Sequence, residues 1–178
     1  MDTTPSRPFK QRLQHIEAFV FDNDGVFTNG TVFLMPGGEQ VRTANTRDGY
    51  AVQHAAKCGV RIAMLSGGRS QEVVRRMNGL GVTEVIMGAA EKLGEFESLC
   101  SRWNLQPDQV CYMGDDIPDI PVLQAAGLAC CPNDAVPEVR AVSDYVSPLP
   151  GGTGCVRDIL EQAMKVKGLW MNDRAHAW

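Results

Sequence analysis

The sequence of 178 residues lacks several features that would assign it to a specialised class of protein. No apolar run approaches the roughly 20 residues that a membrane-spanning helix needs. The net charge of −4 provides no basic surface for nucleic acid or for an anionic membrane. The amino-terminal segment MDTTPSRPFKQRLQ is polar and has no apolar core like that of a secretory signal. We therefore expect a globular protein with neither a nucleic-acid nor a membrane partner.

The cysteine and histidine patterns of a metal or disulfide framework are also missing. None of the 6 cysteines forms a CxxC pair, and most lie inside apolar stretches such as QVCYM and LACC. They are predicted to be small buried side chains in a reducing compartment. The histidines, His15, His54 and His176, are scattered and have no partner at ligand spacing. The length suits a single domain, residues 1–178.

What the sequence does contain is an alternation of short apolar runs and amphipathic stretches. Strands are predicted at 17–22, 60–65, 84–87, 109–113, 127–131 and 144–146. Helices are predicted near 48–58, 70–79, 91–103, 118–126, 135–141 and 155–167. Because the strands show no polar alternation, the pattern predicts an α/β fold, a doubly wound parallel sheet with helices on both faces.

Two segments fall outside this alternation. Residues 31–44, a TVFLM run, a PGGE turn and a QVRTA run, predict a β-hairpin after the first strand. The last residues, 168–178, follow the final helix and are predicted to form a tail that Trp170 and Trp178 anchor.

Acidic side chains follow two of the predicted strands. The first strand ends in Asp22-Asn23-Asp24, and the fourth ends in a loop with Asp115, Asp116 and Asp119. Ligands of an open parallel sheet bind beyond the carboxyl ends of its strands. Solvated loop acids with a helix-capping Asp119 are the alternative, but two such loops at neighbouring strand ends favour a Mg²⁺ site, because Mg²⁺ prefers hard oxygen ligands.

Two other strand ends place polar residues at the same edge. The second strand runs into Ser66-Gly67-Gly68-Arg69-Ser70, and Lys92 follows the third. The Ser66 hydroxyl and nearby backbone N–H groups are candidates for binding phosphate oxygens. We expect Lys92 to face the acids and not solvent.

These residues resemble the haloacid dehalogenase (HAD) superfamily of phosphohydrolases, which has a Rossmann-like fold. The resemblance rests on four parts in order: Asp22-x-Asp24-Gly25-Val26-x-Thr28, Ser66, Lys92 and Gly114-Asp115-Asp116-x-x-Asp119. The finer resemblance is to the subfamily of 3-deoxy-D-manno-octulosonate 8-phosphate (KDO 8-phosphate) phosphatases. That subfamily has the same hairpin, an Arg47-Asp48-Gly49-Tyr50 helix start and a Gly-Gly-x-Gly-x-Val-Arg segment, here 151–157.

The resemblance implies a Mg²⁺-dependent phosphomonoesterase of lipopolysaccharide precursor synthesis in the cytoplasm, acting through an aspartyl-phosphate. It implies that Asp22 is the nucleophile and Asp24 the acid/base, with Ser66 and Lys92 completing the catalytic set. Asp22, the Asp24 backbone carbonyl and Asp115 would bind the metal, with Asp116 and Asp119 behind them holding metal waters or Lys92. The subfamily forms homotetramers of capless subunits, and we expect the hairpin to pack between subunits.

Two positions depart from the family pattern. Asn23 stands where the family usually has an apolar residue, and Gly68 stands where it has an arginine, with Arg69 one step later. Arg47 and Arg69 are candidates for binding the carboxylate of a sugar-acid phosphate, because arginine binds carboxylates bidentately. Thr28 and Gly67 are further candidates for contacts with the substrate.

Several alternatives remain open at this point. The same chemistry could act on a sialic-acid-type (2-keto-3-deoxynononate) 9-phosphate. A non-catalytic oligomerisation domain of this fold is a second alternative, which the intact Asp22, Asp24, Lys92 and Asp115 oppose. The glycines at 67–68 and 151–154 lack the spacing of nucleotide-binding loops. The gaps between the motifs leave no room for a cap, since domains below about 40 residues rarely fold alone.

Overall fold

The computed structural model of the protein describes residues 8–176. Its strands are β1 (Ala18–Phe21), β2 (Phe33–Leu34), β3 (Gln40–Val41), β4 (Arg61–Ser66), β5 (Glu84–Met87), β6 (Val110–Met113), β7 (Leu128–Cys131) and β8 (Tyr145–Val146). Its α-helices are α1 (Phe9–His15), α2 (Thr46–Lys57), α3 (Gln71–Gly79), α4 (Lys92–Trp103), α5 (Ile120–Ala125), α6 (Pro137–Val142) and α7 (Cys155–Val166).

Six strands form one parallel sheet in the order β5-β4-β1-β6-β7-β8. The chain starts in the middle of the sheet, moves to one edge and then returns to fill the other. This is the strand order of a doubly wound Rossmann-like sheet, so the predicted fold class is confirmed. The segment between β1 and β4 holds only a short turn, the β2–β3 hairpin and α2, and no cap domain is present among residues 8–176.

Both faces of the sheet are covered, as the apolar strands predict. Successive side chains of β1 point to opposite faces. Phe19 and Phe21 join the core beneath α1, α2 and α7. Ala18 and Val20 join the second core, which α4, α5 and α6 cover. The central strand is therefore fully buried, and its carboxyl end is held rigidly at one edge of the sheet.

Two features differ from the sequence-based expectations. The helix α1 has no counterpart among the predicted elements. Its buried residue is Leu13. Arg12 holds the helix in place by donating hydrogen bonds to the backbone oxygen of Gly127 at 2.6 Å and to Asp144 at 2.7 Å. The hairpin ladder is shorter than predicted, pairing only Phe33–Leu34 with Gln40–Val41.

None of the described helices is long and apolar enough to cross a membrane.

The segment after α7 packs against helix α2 of the same chain. Trp170 is buried, and its backbone oxygen lies 2.8 Å from Nε2 of His54 on α2. The Tyr50 hydroxyl donates to the backbone oxygen of Ala175 at 2.5 Å. The Arg157 guanidinium lies 5.2 Å from the ring centroid of Trp170. Trp170 therefore anchors the tail as predicted, whereas Trp178 lies outside the described residues.

A buried carboxylate joins α2 to α7. Asp48 is inaccessible to solvent, and its Oδ1 accepts a hydrogen bond from the backbone N–H of Arg157 at 2.7 Å. Its Oδ2 is buried and has no hydrogen-bond partner among the described residues. Burial raises the pKa of Asp48 to about 6, although the N–H groups of Arg157 and Gly154 oppose the shift. The charged form therefore destabilises the native protein above that pH.

Replacing Asp48 should separate the hydrogen bond from the charge. The raised pKa means that this group's stabilising contribution is complete below the unfolded-state pKa and is lost as the pH rises through about 6. Asp48→Asn keeps the Oδ1 acceptor, so its melting temperature relative to wild type should rise as the pH increases through that range. Relative to Asp48→Asn, Asp48→Ala should lose about 1 kcal/mol of unfolding free energy at all pH values, because it removes the acceptor for the Arg157 N–H at the start of α7. Thermal melts across this pH range measure both, and a pH-independent Asp48→Asn difference would contradict the assignment.

Candidate active site

The carboxyl ends of three central strands bring the predicted residues together. Phe21 at the end of β1 pairs with Met64 on one side and Met113 on the other. Asp22 follows directly, and its N–H donates to the backbone oxygen of Met113 at 3.0 Å. Ser66 ends β4, and Asp115 follows β6 after Gly114. The expected convergence of Asp22, Ser66 and Asp115 is thus observed.

Lys92 is buried between two carboxylates at this edge. Its Nζ donates to Asp22 Oδ2 and to Asp119 Oδ1, both at 2.7 Å, and its side chain is 7% exposed. Burial opposes the lysine charge, but the two carboxylates outweigh it and raise the pKa of Lys92 above its usual value. Lys92 therefore faces the acids, as expected, and remains a cation at neutral pH.

Both carboxylate oxygens of Asp119 accept hydrogen bonds from two donors each. Besides Lys92, the Tyr112 hydroxyl donates to Asp119 Oδ1 at 2.5 Å. The backbone N–H groups of Asp115 and Asp116 donate to Asp119 Oδ2 at 3.0 and 3.2 Å. This arrangement fits the predicted role of holding Lys92. The exposed Asp116 instead caps the turn at Ile117, accepting a hydrogen bond from its N–H at 2.8 Å.

Glycines make the close approach of the acids possible. Gly25 has φ +82°, and a Cβ there would lie 1.9 Å from Asp115 Oδ2. A Cβ on Gly114 would lie 2.3 Å from Asp119 Cγ. Side chains at either position would therefore displace a carboxylate of the cluster, and at Gly25 the backbone conformation also disfavours them.

The cluster of acids fits a divalent cation. Carboxylate oxygens of Asp22, Asp115 and Asp119 lie within 4.8 Å of one another. Asp115 Oδ1 is buried and has no hydrogen-bond partner among the described residues. Burial, followed by the charge of Asp119, raises the pKa of Asp22 to about 6. Burial and the charge of Asp22 raise the pKa of Asp115 to about 7. An orphaned oxygen among crowded carboxylates is what a hard cation such as Mg²⁺ would satisfy.

Asp24 lies beside this cluster and has different partners. Its Oδ1 accepts hydrogen bonds from Asn23 Nδ2 at 2.9 Å and from Arg42 Nε at 2.6 Å. The sequence analysis did not identify Arg42. The available signal was weak, a charged residue after an apolar hairpin strand, and only the folding of the hairpin brings it to Asp24. Asp24's side chain is not part of the acidic cluster, so its predicted metal contact depends on its backbone carbonyl.

The predicted substrate-binding residues take different positions. Ser66 is buried, with its Oγ accepting from Gly68 N–H at 3.3 Å, and Gly67 is exposed next to it. The Thr28 hydroxyl accepts from the N–H groups of Gly25 and Gly30, so it supports the loop after β1.

The two predicted arginines lie on separate surfaces. Arg47 is exposed in a groove that Arg157 and Glu161 also line. Arg69 is exposed, and its side chain lies next to Gly88.

A cavity of about 160 Å³ opens next to Asp24, between the hairpin, α2 and α3. Its polar lining includes Asn23, Arg42, Asn45, Ser70 and Arg76. Val41, Val73 and Met77 are among its apolar wall residues. Asn23 and Arg42 connect the cavity to Asp24, because both donate hydrogen bonds to its carboxylate.

Comparison with known proteins places the chain among relatives of one kind. A family model described as haloacid dehalogenase-like hydrolase matches residues 70–154. The 3-deoxy-D-manno-octulosonate 8-phosphate phosphatase KdsC of Escherichia coli K12 is 31% identical over 157 residues, covering 88% of this chain and 84% of the relative. Its Yersinia pestis counterpart is 33% identical over 151 residues, covering 85% and 81%.

Solved structures show the same similarity. The Yersinia pestis phosphatase superposes with a TM-score of 0.87 at 31% identity, covering 89% of this chain and 86% of that one. The Moraxella catarrhalis phosphatase, solved with a magnesium ion, a phosphate ion and KDO, superposes with a TM-score of 0.85 at 30% identity, covering 88% and 90%.

Magnesium affinity should depend on pH through the raised pKa values of Asp22 and Asp115. A proton on either carboxylate must leave before a cation binds, so metal binding should release protons. We expect the Mg²⁺ dissociation constant from isothermal titration calorimetry to rise roughly tenfold between about pH 8 and about pH 6. Asp115→Asn should abolish the Mg²⁺-induced increase in melting temperature, whereas Asp108→Asn, a loop acid remote from the cluster, should retain it. Equal Mg²⁺ affinity at both pH values would contradict the site.

Proposed function

This chain belongs to the haloacid dehalogenase-like hydrolases, and we propose that it hydrolyses KDO 8-phosphate to KDO and inorganic phosphate. It is a phosphoric monoester hydrolase with Mg²⁺ as its cofactor. The observation that carries the proposal is the buried network in which Lys92 joins Asp22 to Asp119 beside the unpaired oxygen of Asp115. It holds one carboxylate in a fixed position next to a cation site, as a carboxylate nucleophile requires.

Asp22 is the proposed nucleophile because both of its oxygens are oriented. Oδ2 accepts from Lys92, and Oδ1 accepts from the backbone N–H of Asn23 at 2.6 Å. In the first step an Asp22 oxygen bonds to phosphorus while the bond from phosphorus to the sugar oxygen breaks. The product is an aspartyl-phosphate and a sugar alcohol. Splitting the reaction this way replaces one difficult displacement by two easier ones.

Asp24 is the proposed acid/base. Its carboxyl gives a proton to the departing sugar oxygen in the first step. In the second step it takes a proton from the water that attacks phosphorus, and Asp22 is released with inorganic phosphate. The Ser66 hydroxyl and Lys92 bind phosphate oxygens in both steps. Asp24 suits this role because its side chain lies outside the metal cluster and is 32% exposed.

The residues that would hold Mg²⁺ are Asp22, Asp115 and, through its backbone carbonyl, Asp24. The bound cation neutralises charge that would otherwise repel a phosphate dianion from the acidic cluster. Asp119 serves the site by holding Lys92, as its saturated hydrogen bonds indicate. Asp116 remains a candidate for contacts with metal-bound water.

The similarity of the relatives supports KDO 8-phosphate as the substrate, and with it a role in lipopolysaccharide precursor synthesis in the cytoplasm. The 9-phosphate of a sialic-acid-type sugar remains the second candidate, since Gly68 and Asn23 depart from the family pattern close to the cavity. Arg47 and Arg69 do not line the cavity, whereas Arg76 does and is better placed there to meet an anionic substrate.

A substrate panel tests this proposal. We expect kcat/KM to be highest for KDO 8-phosphate, lower for the 9-phosphate, and negligible for all substrates after Mg²⁺ is removed by chelation. Asp22→Asn should lose at least ~10³-fold in kcat, as loss of a nucleophile does. Glu97→Gln, on the exposed face of α4, is the matched control and should keep wild-type activity. Normal turnover by Asp22→Asn would refute the mechanism, and a preference for the 9-phosphate would replace the substrate.

We also propose that the chain is one domain that works as a homotetramer. Phe33, Leu34, Met35 and Val41 are exposed on the hairpin, and Leu34 is 78% exposed. A contiguous apolar surface of this kind marks an interaction site. The uncapped active site lies beneath the same hairpin, so a neighbouring subunit on the hairpin would limit the access of water. The described part of the tail packs on its own α2, so we assign this role to the hairpin alone.

Introducing charge into the hairpin should separate the subunits. We expect Leu34→Asp to convert a tetramer to smaller species in light scattering, because a buried unpaired carboxylate is strongly unfavourable. Its kcat/KM should fall in parallel. Met171→Asp alters an apolar residue outside the hairpin that is 70% exposed, and it should leave both properties unchanged. A wild-type protein that is monomeric and fully active would contradict the proposal.

A further inference from the structure

Two donors converge on one oxygen of the acid/base carboxylate. Asn23 Nδ2 and Arg42 Nε both donate to Asp24 Oδ1, at 2.9 and 2.6 Å. In contrast, Asp24 Oδ2 accepts no hydrogen bond from the described residues. The two oxygens of Asp24 are therefore inequivalent, one fixed and the other free.

The side-chain hydrogen bond that the structure shows for Asn23 is the one to Asp24. Asn23 is 3% exposed, and its neighbours in the cavity wall include Phe27, Met64 and Val73. A buried amide in such surroundings is unfavourable unless it is hydrogen-bonded, and its amide nitrogen is bonded to Asp24. Position 23 is also where the family pattern has an apolar residue. An apolar side chain would fit the cavity wall but would not contact the carboxylate as a donor.

The side chain of Arg42 is largely covered although it belongs to an exposed hairpin. Its side chain is 9% exposed, whereas both residues of β3 are exposed. Its Nη2 donates to Gln40 Oε1 at 3.2 Å, which holds the guanidinium from the hairpin side. An ion pair of this kind is short and directional, because a charged donor meets a charged acceptor. The hairpin thus delivers a fixed cation to Asp24.

We propose that Asn23 and Arg42 are positioning residues that hold Asp24 Oδ1, so that Oδ2 is the oxygen that carries the catalytic proton. The proposal rests on the role of Asp24 as acid/base in the proposed function. Gly68 supports the assignment: a Cβ there would lie 3.2 Å from Asp24 Oδ2 and 3.6 Å from Ser66 Oγ. Oδ2 therefore faces the loop after β4, where the phosphate-binding candidates are, and the glycine leaves it uncrowded.

In the proposed reaction Asp24 Oδ2 gives up a proton in the first step and regains one in the second. The proton on Oδ2 passes to the sugar oxygen as its bond to phosphorus breaks, and Asp24 becomes a carboxylate. The attacking water returns a proton to Oδ2 in the second step. Asn23 and Arg42 keep their own protons throughout, and their contribution is to fix the carboxyl plane. Fixing the geometry of a catalytic group can account for a substantial part of its effect on rate.

Leaving-group dependence distinguishes this role from a general structural one. Benzyl phosphate and p-nitrophenyl phosphate are similar in size, but only the benzyl alkoxide is a poor leaving group that needs protonation. The ratio kcat/KM reports the steps through departure of the leaving group. For Asn23→Val and Arg42→Gln we expect losses of ~10-fold or more with benzyl phosphate and KDO 8-phosphate, against less than ~3-fold with p-nitrophenyl phosphate.

The controls separate positioning from folding and from binding. Arg42→Lys keeps a cationic donor and should recover part of the loss, whereas Arg75→Gln, on the exposed face of α3, should match wild type. Melting temperature and Mg²⁺ affinity of Asn23→Val should match wild type, since an apolar residue suits that wall of the cavity. In an Asp24→Asn background, neither Asn23→Val nor Arg42→Gln should reduce kcat/KM further.

Equal losses on benzyl and p-nitrophenyl phosphate would overturn the proposal, because they would assign the two residues to phosphate binding or folding. Unchanged activity toward benzyl phosphate in both variants would overturn it as well. The comparison does not depend on the sugar. A wild-type enzyme that hydrolyses benzyl phosphate but not KDO 8-phosphate would contradict the proposed substrate alone, and the benzyl comparison would still decide the role of Asn23 and Arg42.

Discussion

The buried ammonium of Lys92 is the interaction on which the arrangement of the site depends. Asp22 directly follows β1 and Asp119 lies in the turn after the adjacent strand β6, and without a cation between them their charges would repel at short range. Lys92 donates to both at 2.7 Å from the first turn of α4. Because one partner follows β1 and the other follows β6, the lysine fixes three separate segments of the chain with respect to one another.

A single lysine does not balance the cluster. Asp115 keeps a buried oxygen without a partner among residues 8–176, and its pKa is raised to about 7 by burial and by its acidic neighbours. The site is therefore poised for a second cation, and binding of Mg²⁺ exchanges protons for metal. The glycines at 25 and 114 allow this crowding, since a Cβ at either would overlap a carboxylate. The crowded carboxylates destabilise the folded protein locally, and the positive charge of a bound Mg²⁺ would offset that repulsion.

Much of the fold and of the acidic cluster could be predicted from the sequence. The six strands of the main sheet and the six helices from α2 to α7 lie where the apolar pattern predicted them. In contrast, α1 was not predicted, because its sequence has little apolar periodicity and its position depends on Arg12 contacting residues 127 and 144. The same limit explains why Arg47 and Arg69 were chosen and Arg42 was not, since the position of an arginine depends on the path of its loop.

The sequence by itself determined the gathering of Asp22, Ser66, Lys92 and Asp115, because the carboxyl ends of parallel strands meet at one edge whatever the loops between them do. Only the tertiary structure decided which oxygen of Asp24 is free. That choice depends on Arg42, which lies 18 positions away in the sequence and reaches Asp24 because the hairpin folds back over the site. The positions of the strands follow from local patterns, whereas the contacts of a hairpin side chain follow from packing that no local pattern encodes.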